Sequence, residues 1–211
     1  MRSIVYSPET ADKVSQSLKD ISNFDWDDLE NLDLRNEIRT FYRLEQRGVC
    51  SYCRQSVSVV FATNCHIEHI APKSMYPEYI FEPKNLCVIC ADCNQIKRNQ
   101  ETIGIIPDTI KKKYKTKYPD KSEDFFIIHP HFDNYDDHIM IINGFYIDKA
   151  SKKGNFTIGA CLLNRKFLVF DWNLDLVEES ELLEDFNYYI EEENSLKRQQ
   201  KLQEIKHKLF F

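Results

Sequence analysis

The chain has 211 residues, enough for one large domain or for a small module with helical decoration. Its hydrophobic fraction of 42% and charged fraction of 29% are those of a folded soluble protein, and no apolar run approaches the roughly 18 residues that span a bilayer. A net charge of −6 argues against a protein that coats nucleic acid through bulk positive charge.

The opening stretch, Met1-Arg-Ser-Ile-Val-Tyr-Ser-Pro8, lacks the apolar core of a signal peptide, so a cytoplasmic protein is expected. In that reducing compartment seven cysteines, four of them in Cys-x2-Cys pairs, point to metal before disulfides. Ser7-Pro8 opens a first helix, with a hydroxyl N-cap and proline at the first helical position; Val14, Leu18 and Ile21 follow at helical spacing. After an acidic break at Asp25-Trp26-Asp27-Asp28, Leu34, Ile38 and Phe41 predict a second amphipathic helix that stops at Gly48. Residues 1–48 are expected to be a helical brace without catalytic chemistry of their own.

Residues 49–105 carry the reactive groups. Cys50-Ser-Tyr-Cys53 is followed by Val57 to Asn64, whose β-branched and apolar residues predict a strand leading into His66-Ile-Glu68-His69. Pro72, Pro77 and Pro83 keep the next stretch irregular. Asn85 to Ile89 predicts a second strand, and a helix starting near Cys90 or Ala91 would carry Cys93, Asn94 and Lys97 on its first turns. Each Cys-x2-Cys turns the chain so that two thiolates point at one ion. Together Cys50, Cys53, Cys90 and Cys93 predict a four-thiolate zinc site, structural because it leaves no position for water.

Residues 106–211 predict a hairpin and a helical region packed on that core, the whole forming one unit. From Asn94 to Lys121 eight lysines and arginines stand against three acids, a basic flank suited to a polyanion. The lysine run beginning at Lys111 reads equally as a solvated helix face. His138-Ile-Met-Ile-Ile, then Asn143-Gly144 and Phe145-Tyr-Ile, predicts the hairpin with a type I′ turn. Past Thr157-Ile158 the chain turns helical, with apolar stripes at Leu182, Phe186, Ile190 and at Leu202, Ile205, Leu209. Asp171 to Glu193 carries ten acids and no lysine or arginine, a solvated surface or a docking face for a basic partner. His129-x-His131-x-Asp133 is a secondary candidate metal site, read here first as a hydrogen-bonded corner; Cys65, Cys87 and Cys161 are expected to be small buried residues.

Cutting a phosphodiester needs an activated water, an in-line approach and relief of charge on the leaving oxygen. Glu68 is a hard oxygen ligand for magnesium or manganese, and Asn94 supplies a neutral oxygen beside it. His69, with an imidazole that is substantially neutral at pH 7, is the candidate general base. Asn85 is placed to reach across to the His69 segment and fix the ring, while Lys73, Lys97 and Arg98 are candidates to meet phosphates. His66 is expected to be a structural neighbour rather than a ligand.

His66-Ile-Glu68-His69-Ile-x-Pro-Lys, then Asn85-Leu, then Cys90-x2-Cys93-Asn94-x2-Lys97 resembles the HNH endonuclease family. The resemblance implies an α+β protein, mostly helical, around a zinc-stapled ββα-metal core, with His69 as base, Asn85 steadying it, and Glu68 and Asn94 holding the catalytic metal. Glu68 departs from the aspartate usual in that family. Glu45-Gln-x-Gly48-x-Cys50-x-Tyr-Cys53, Pro72-Lys73-Ser74, Tyr76-Pro77 and Leu163-Asn164-Arg165 are similar to the HNH proteins of Septu anti-phage systems and of some retrons, where glutamate is expected. That branch implies a defence nuclease held by a partner ATPase, acting on DNA by preference, with RNA or tRNA as the alternative. Two other readings compete: a zinc module that binds nucleic acid or protein without cutting, and a metallohydrolase built on the His129 cluster.

Overall fold

Helix α1 (Pro8–Ser17) starts at the expected cap, where the Ser7 hydroxyl accepts the Thr10 amide at 3.3 Å. Helix α2 (Leu32–Glu45) supplies Glu37, whose carboxylate accepts from the Ser7 amide at 2.7 Å and from its hydroxyl at 2.9 Å. The apolar stripe expected on α1 is weak: Leu18 lies past the helix end and is exposed, and Asp20 leaves helical backbone altogether. In α2 the buried stripe is Leu34, Ile38 and Tyr42, with Phe41 only half-buried beside it. The helix ends before Gly48, because Arg47 and Gly48 both adopt positive φ (55° and 70°) and the Gly48 amide returns to the Arg43 carbonyl at 2.9 Å.

This computed structural model describes residues 1–102, 108–111, 117–142, 144–166, 180–192 and 194–210. They form two units, Met1–Asp133 and Asn134–Phe211. At the centre of the first, β1 (His66–His69) pairs antiparallel with β2 (Leu86–Ile89), His66 opposite Ile89 and His69 opposite Leu86. All four residues of β2 are buried, and helix α3 (Ala91–Thr102) follows directly, completing the expected β–β–α order.

The strand expected at Val57–Asn64 is absent. Ser58 turns the chain there, its hydroxyl accepting from the Val60 amide at 3.2 Å and the Phe61 amide at 2.8 Å, and Ala62–Asn64 is a single 3-10 turn. Val59, Val60 and Phe61 are left exposed. Strand propensity is realised only beside a partner, and β2 pairs no further than His66. Asn85 likewise closes a 3-10 turn (Pro83–Asn85) instead of opening β2.

Residues up to Asp133 belong with the first unit, whereas the sequence grouped everything beyond 105 with the hairpin. The reason is a set of long-range bonds: Thr109 Oγ1 donates to the Ile70 carbonyl at 2.7 Å, Ile110 bridges Phe125, and the His131 ring reaches the Leu86 carbonyl at 2.9 Å. In the second unit β3 (Ile139–Ile142) pairs with β4 (Phe145–Asp148), the expected hairpin. Helices α4 (Lys152–Ala160), α5 (Ser180–Glu191) and α6 (Ser195–Phe210) follow, and Ile142, Ile147, Tyr189, Leu202 and Ile205 form its core. Gly154 of α4 sits against the His138 carbonyl, where an added Cβ would lie 2.3 Å from the oxygen. Helices with two small antiparallel sheets make this the α+β protein expected. Asn143 of the turn, Lys112 to Lys115, the acidic residues from Asp171 to Glu179, and the side chains of Leu182, Phe186, Ile190 and Leu209 lie outside the described residues.

Candidate functional site

The Sγ atoms of Cys50, Cys53, Cys90 and Cys93 all lie within 4.8 Å of one another, and all four residues are buried. Cys53 and Cys90 sulfurs are 3.6 Å apart, close to the edge of about 3.8 Å that a tetrahedron with zinc–sulfur bonds of 2.3 Å requires. The donor set therefore fits zinc. Burial pushes the Cys50 thiol up, and four sulfurs this close ionise together only around a cation. The first knuckle is fixed by Gln46, whose amide nitrogen donates to the Val49 carbonyl at 2.9 Å and the Val88 carbonyl at 2.8 Å while its oxygen accepts the Val88 amide at 2.7 Å. The second is continuous with β2 and α3. An ion here holds loop, strand and helix in one arrangement.

That arrangement sets Glu68. Tyr52, between the first two cysteines and fully buried, donates its hydroxyl to Glu68 Oε1 at 3.0 Å. Lys97, one turn beyond Cys93, places Nζ 2.7 Å from the same oxygen. Both of these contacts fall on Oε1, and no hydrogen bond to Oε2 is found among the described residues. The lysine expected at a phosphate is thus 2% exposed and spent on the carboxylate, because its position on α3 turns it toward β1.

Neighbouring strand residues leave by opposite faces, and His69 goes the other way from Glu68. Its Nε2 lies 3.1 Å from the Ile80 carbonyl, and the Trp26 ring packs edge-on at 4.5 Å between centroids. A carbonyl only accepts, so Nε2 carries the proton and Nδ1 keeps its lone pair in the neutral ring. Burial first, then the charges of Lys73 and Lys97, push His69 down to about 3, against the opposing pull of the Ile80 bond. The ring is therefore neutral at pH 7.

Asn85 does not touch the ring. Fully buried, its Oδ1 accepts the Ala71 amide at 2.7 Å, and its Nδ2 donates to the carbonyls of Ala71 at 3.2 Å and Tyr79 at 2.9 Å. It clamps the loop whose next residue, Ile80, holds His69. Asn94 is half-buried on the first turn of α3, and its amide makes no side-chain hydrogen bond among the described residues. A carboxylate oxygen and an amide oxygen that accept no hydrogen bond among the described residues are donors that suit magnesium or manganese.

Lys73 is partly exposed, 3.6 Å from Asp27 Oδ2 and over the Trp26 ring at 5.6 Å. Burial lowers its pKa while Asp27 raises it, and Arg98 is exposed on α3. His66 is half-buried with Nε2 3.0 Å from the Thr63 carbonyl. His129 is buried, its Nε2 2.9 Å from the Tyr118 hydroxyl and its Nδ1 accepting the His131 amide at 3.2 Å. Asp133 accepts the His129 amide at 2.7 Å. These nitrogens and this carboxylate bond within the fold, and the four cysteines are the metal-binding cluster found among the described residues. Cys65, Cys87 and Cys161 are buried outside it.

Residues 50–100 match the family model for HNH endonuclease. The HNH segment contains both knuckles, Glu68, His69, Asn85, Asn94 and Lys97, and it supports a metal-dependent nuclease acting on nucleic acid. No curated protein and no solved structure matches the chain. No described helix is long and apolar enough to cross a membrane. Two residues of the site escaped the sequence reading. Tyr52 had a weak signal, an aromatic inside a knuckle; Trp26, 43 positions before His69, had none.

Proposed function

We propose that this chain is a metal-dependent HNH endonuclease that hydrolyses phosphodiester bonds, with DNA the favoured substrate. We further propose that it works in the cytoplasm as the effector nuclease of an anti-phage complex with an ATPase partner of the Septu kind. The observation that carries the nuclease reading is the four-cysteine cluster joining the first knuckle to the β2–α3 junction, with Glu68 and His69 on β1, the strand paired to β2.

Glu68 Oε2 and the Asn94 amide oxygen would hold magnesium or manganese, which when bound polarises the phosphate and steadies the leaving oxygen. The chain's own residues do the rest. His69 takes the proton of the attacking water at Nδ1 while the Ile80 carbonyl keeps Nε2–H in place. Asn85 acts at one remove, by holding the loop that carries that carbonyl. Lys73 and Arg98 meet the phosphates flanking the cut, and a substrate phosphate replaces Asp27 at the Lys73 ammonium.

A non-catalytic zinc module is the second reading, favoured by the burial of His69 at 7% exposed and Glu68 at 8%. Plasmid and total-RNA cleavage with each divalent metal separates the two. The nuclease reading expects cutting that His69→Ala abolishes while zinc content and circular dichroism are unchanged. Cutting that survives His69→Ala and Glu68→Gln would overturn it.

A further inference from the structure

Lys97 is an unusual neighbour for a metal-binding carboxylate. Its ammonium and the Tyr52 hydroxyl both engage Glu68 Oε1, at 2.7 Å and 3.0 Å, and both come from pieces of chain that the four cysteines pin. Both contacts hold the carboxylate by Oε1, which leaves Oε2 as the oxygen for a further ligand. Glutamate has the reach for this; an aspartate here, one methylene shorter, would draw its carboxylate back from both partners.

The charges balance. Glu68 contributes one negative charge, Lys97 one positive, and Asn94 is neutral. A divalent cation approaching Glu68 alone meets a carboxylate already paired with a buried ammonium. A phosphodiester brings the missing negative charge.

We propose that Lys97 makes occupancy of the metal at Glu68 conditional on bound nucleic acid, with Tyr52 keeping Oε1 turned inward so that Oε2 remains the presented oxygen. This rests on the reading of Glu68 as a metal ligand. It accounts for a lysine buried where the sequence pointed to a surface contact, and it keeps the site from binding a cation before substrate arrives.

The test is a Mn2+ titration of the full, zinc-loaded chain, followed by the electron paramagnetic resonance of free Mn2+, with no nucleic acid present. Wild type should bind Mn2+ weakly. Lys97→Met, which removes a unit charge next to the ligand oxygen, should bind it about tenfold more tightly or better. Tyr52→Phe removes a neutral donor and should not tighten binding, and adding Glu68→Gln to Lys97→Met should abolish the gain. A purely structural role for Lys97 predicts weaker or equal affinity, so tightening is the discriminating result. Where Lys97→Met fails to keep its zinc, Lys97→Gln serves the same purpose. Unchanged Mn2+ affinity in a folded Lys97 variant overturns the proposal. If Glu68→Gln still abolishes cutting, the nuclease reading stands without it; if Glu68→Gln cuts normally, both fall.

Discussion

Replacing Asn85 tests whether the base is held through the loop. In Asn85→Ala the Ala71 amide, on a residue with no exposure, loses its acceptor and becomes a buried unsatisfied donor, costing about 1–3 kcal/mol. The carbonyls of Ala71 and Tyr79 each lose a bond, at about 1 kcal/mol apiece. The sum is about 3–5 kcal/mol, which at a urea dependence of about 2 kcal/mol/M moves the unfolding midpoint down by about 2 M. Asn85→Asp keeps the bond from the Ala71 amide but turns a second oxygen toward two carbonyls at 2.9 and 3.2 Å. The carboxyl then folds best protonated, its pKa raised above the unfolded value of about 3.9. The folded state binds more protons than the unfolded one, so this variant loses stability as pH rises above about 4. Freed at Tyr79, the loop also lets the Ile80 carbonyl drift from His69, so turnover should fall by about 100-fold while Mn2+ binding persists. Urea unfolding by circular dichroism at pH 5 and pH 8, with zinc content checked, reads the stability; cleavage rates read the rest. A midpoint for Asn85→Ala within about 0.5 M of wild type would refute the clamp, and so would an aspartate variant equally stable at both pH values.

Stripping zinc under reducing conditions, or Cys90→Ser, should remove hydrogen-exchange protection from β1, β2 and α3 together, since thiolate sites of this kind contribute on the order of 10 kcal/mol to folding; protection that survives chelation would show the cysteines to be ordinary core. His131 provides a pH dependence: burial is the main reason its pKa falls to about 4, against the pull of its bond to the Leu86 carbonyl. The unfolded chain takes up the proton first, so the stability contribution is complete above about pH 6.5 and disappears as pH falls toward 4, an upper bound of about 3 kcal/mol. His131→Gln, compared with wild type by urea unfolding from pH 7 to 4.5, should flatten that part of the curve; parallel curves would sink the assignment.

The motif spacing read from the sequence survives in the structure wherever it concerns one element at a time. Two Cys-x2-Cys turns and a helix beginning at Ala91 are local events, set by backbone geometry and by a thiolate's need for a cation, whereas the first strand forms at His66–His69, beyond the stretch expected to hold it. The hairpin of β3 and β4 and the Ser7 cap are legible for the same reason. What was not legible depends on partners far along the chain. Val57 to Asn64 carries strand-forming residues, yet no described strand pairs with it, and it turns instead. Lys97 reads as an exposed cation until packing of α3 on β1 brings it to Glu68, 29 positions earlier. Trp26 reads as part of an acidic break until it closes over His69. The sequence by itself determined which chemical groups are available and which share a strand or a helix, because those follow from periods of a few residues. Only the tertiary structure decided which are buried, which are paired and which stay presented, because burial and pairing are properties of the space between elements.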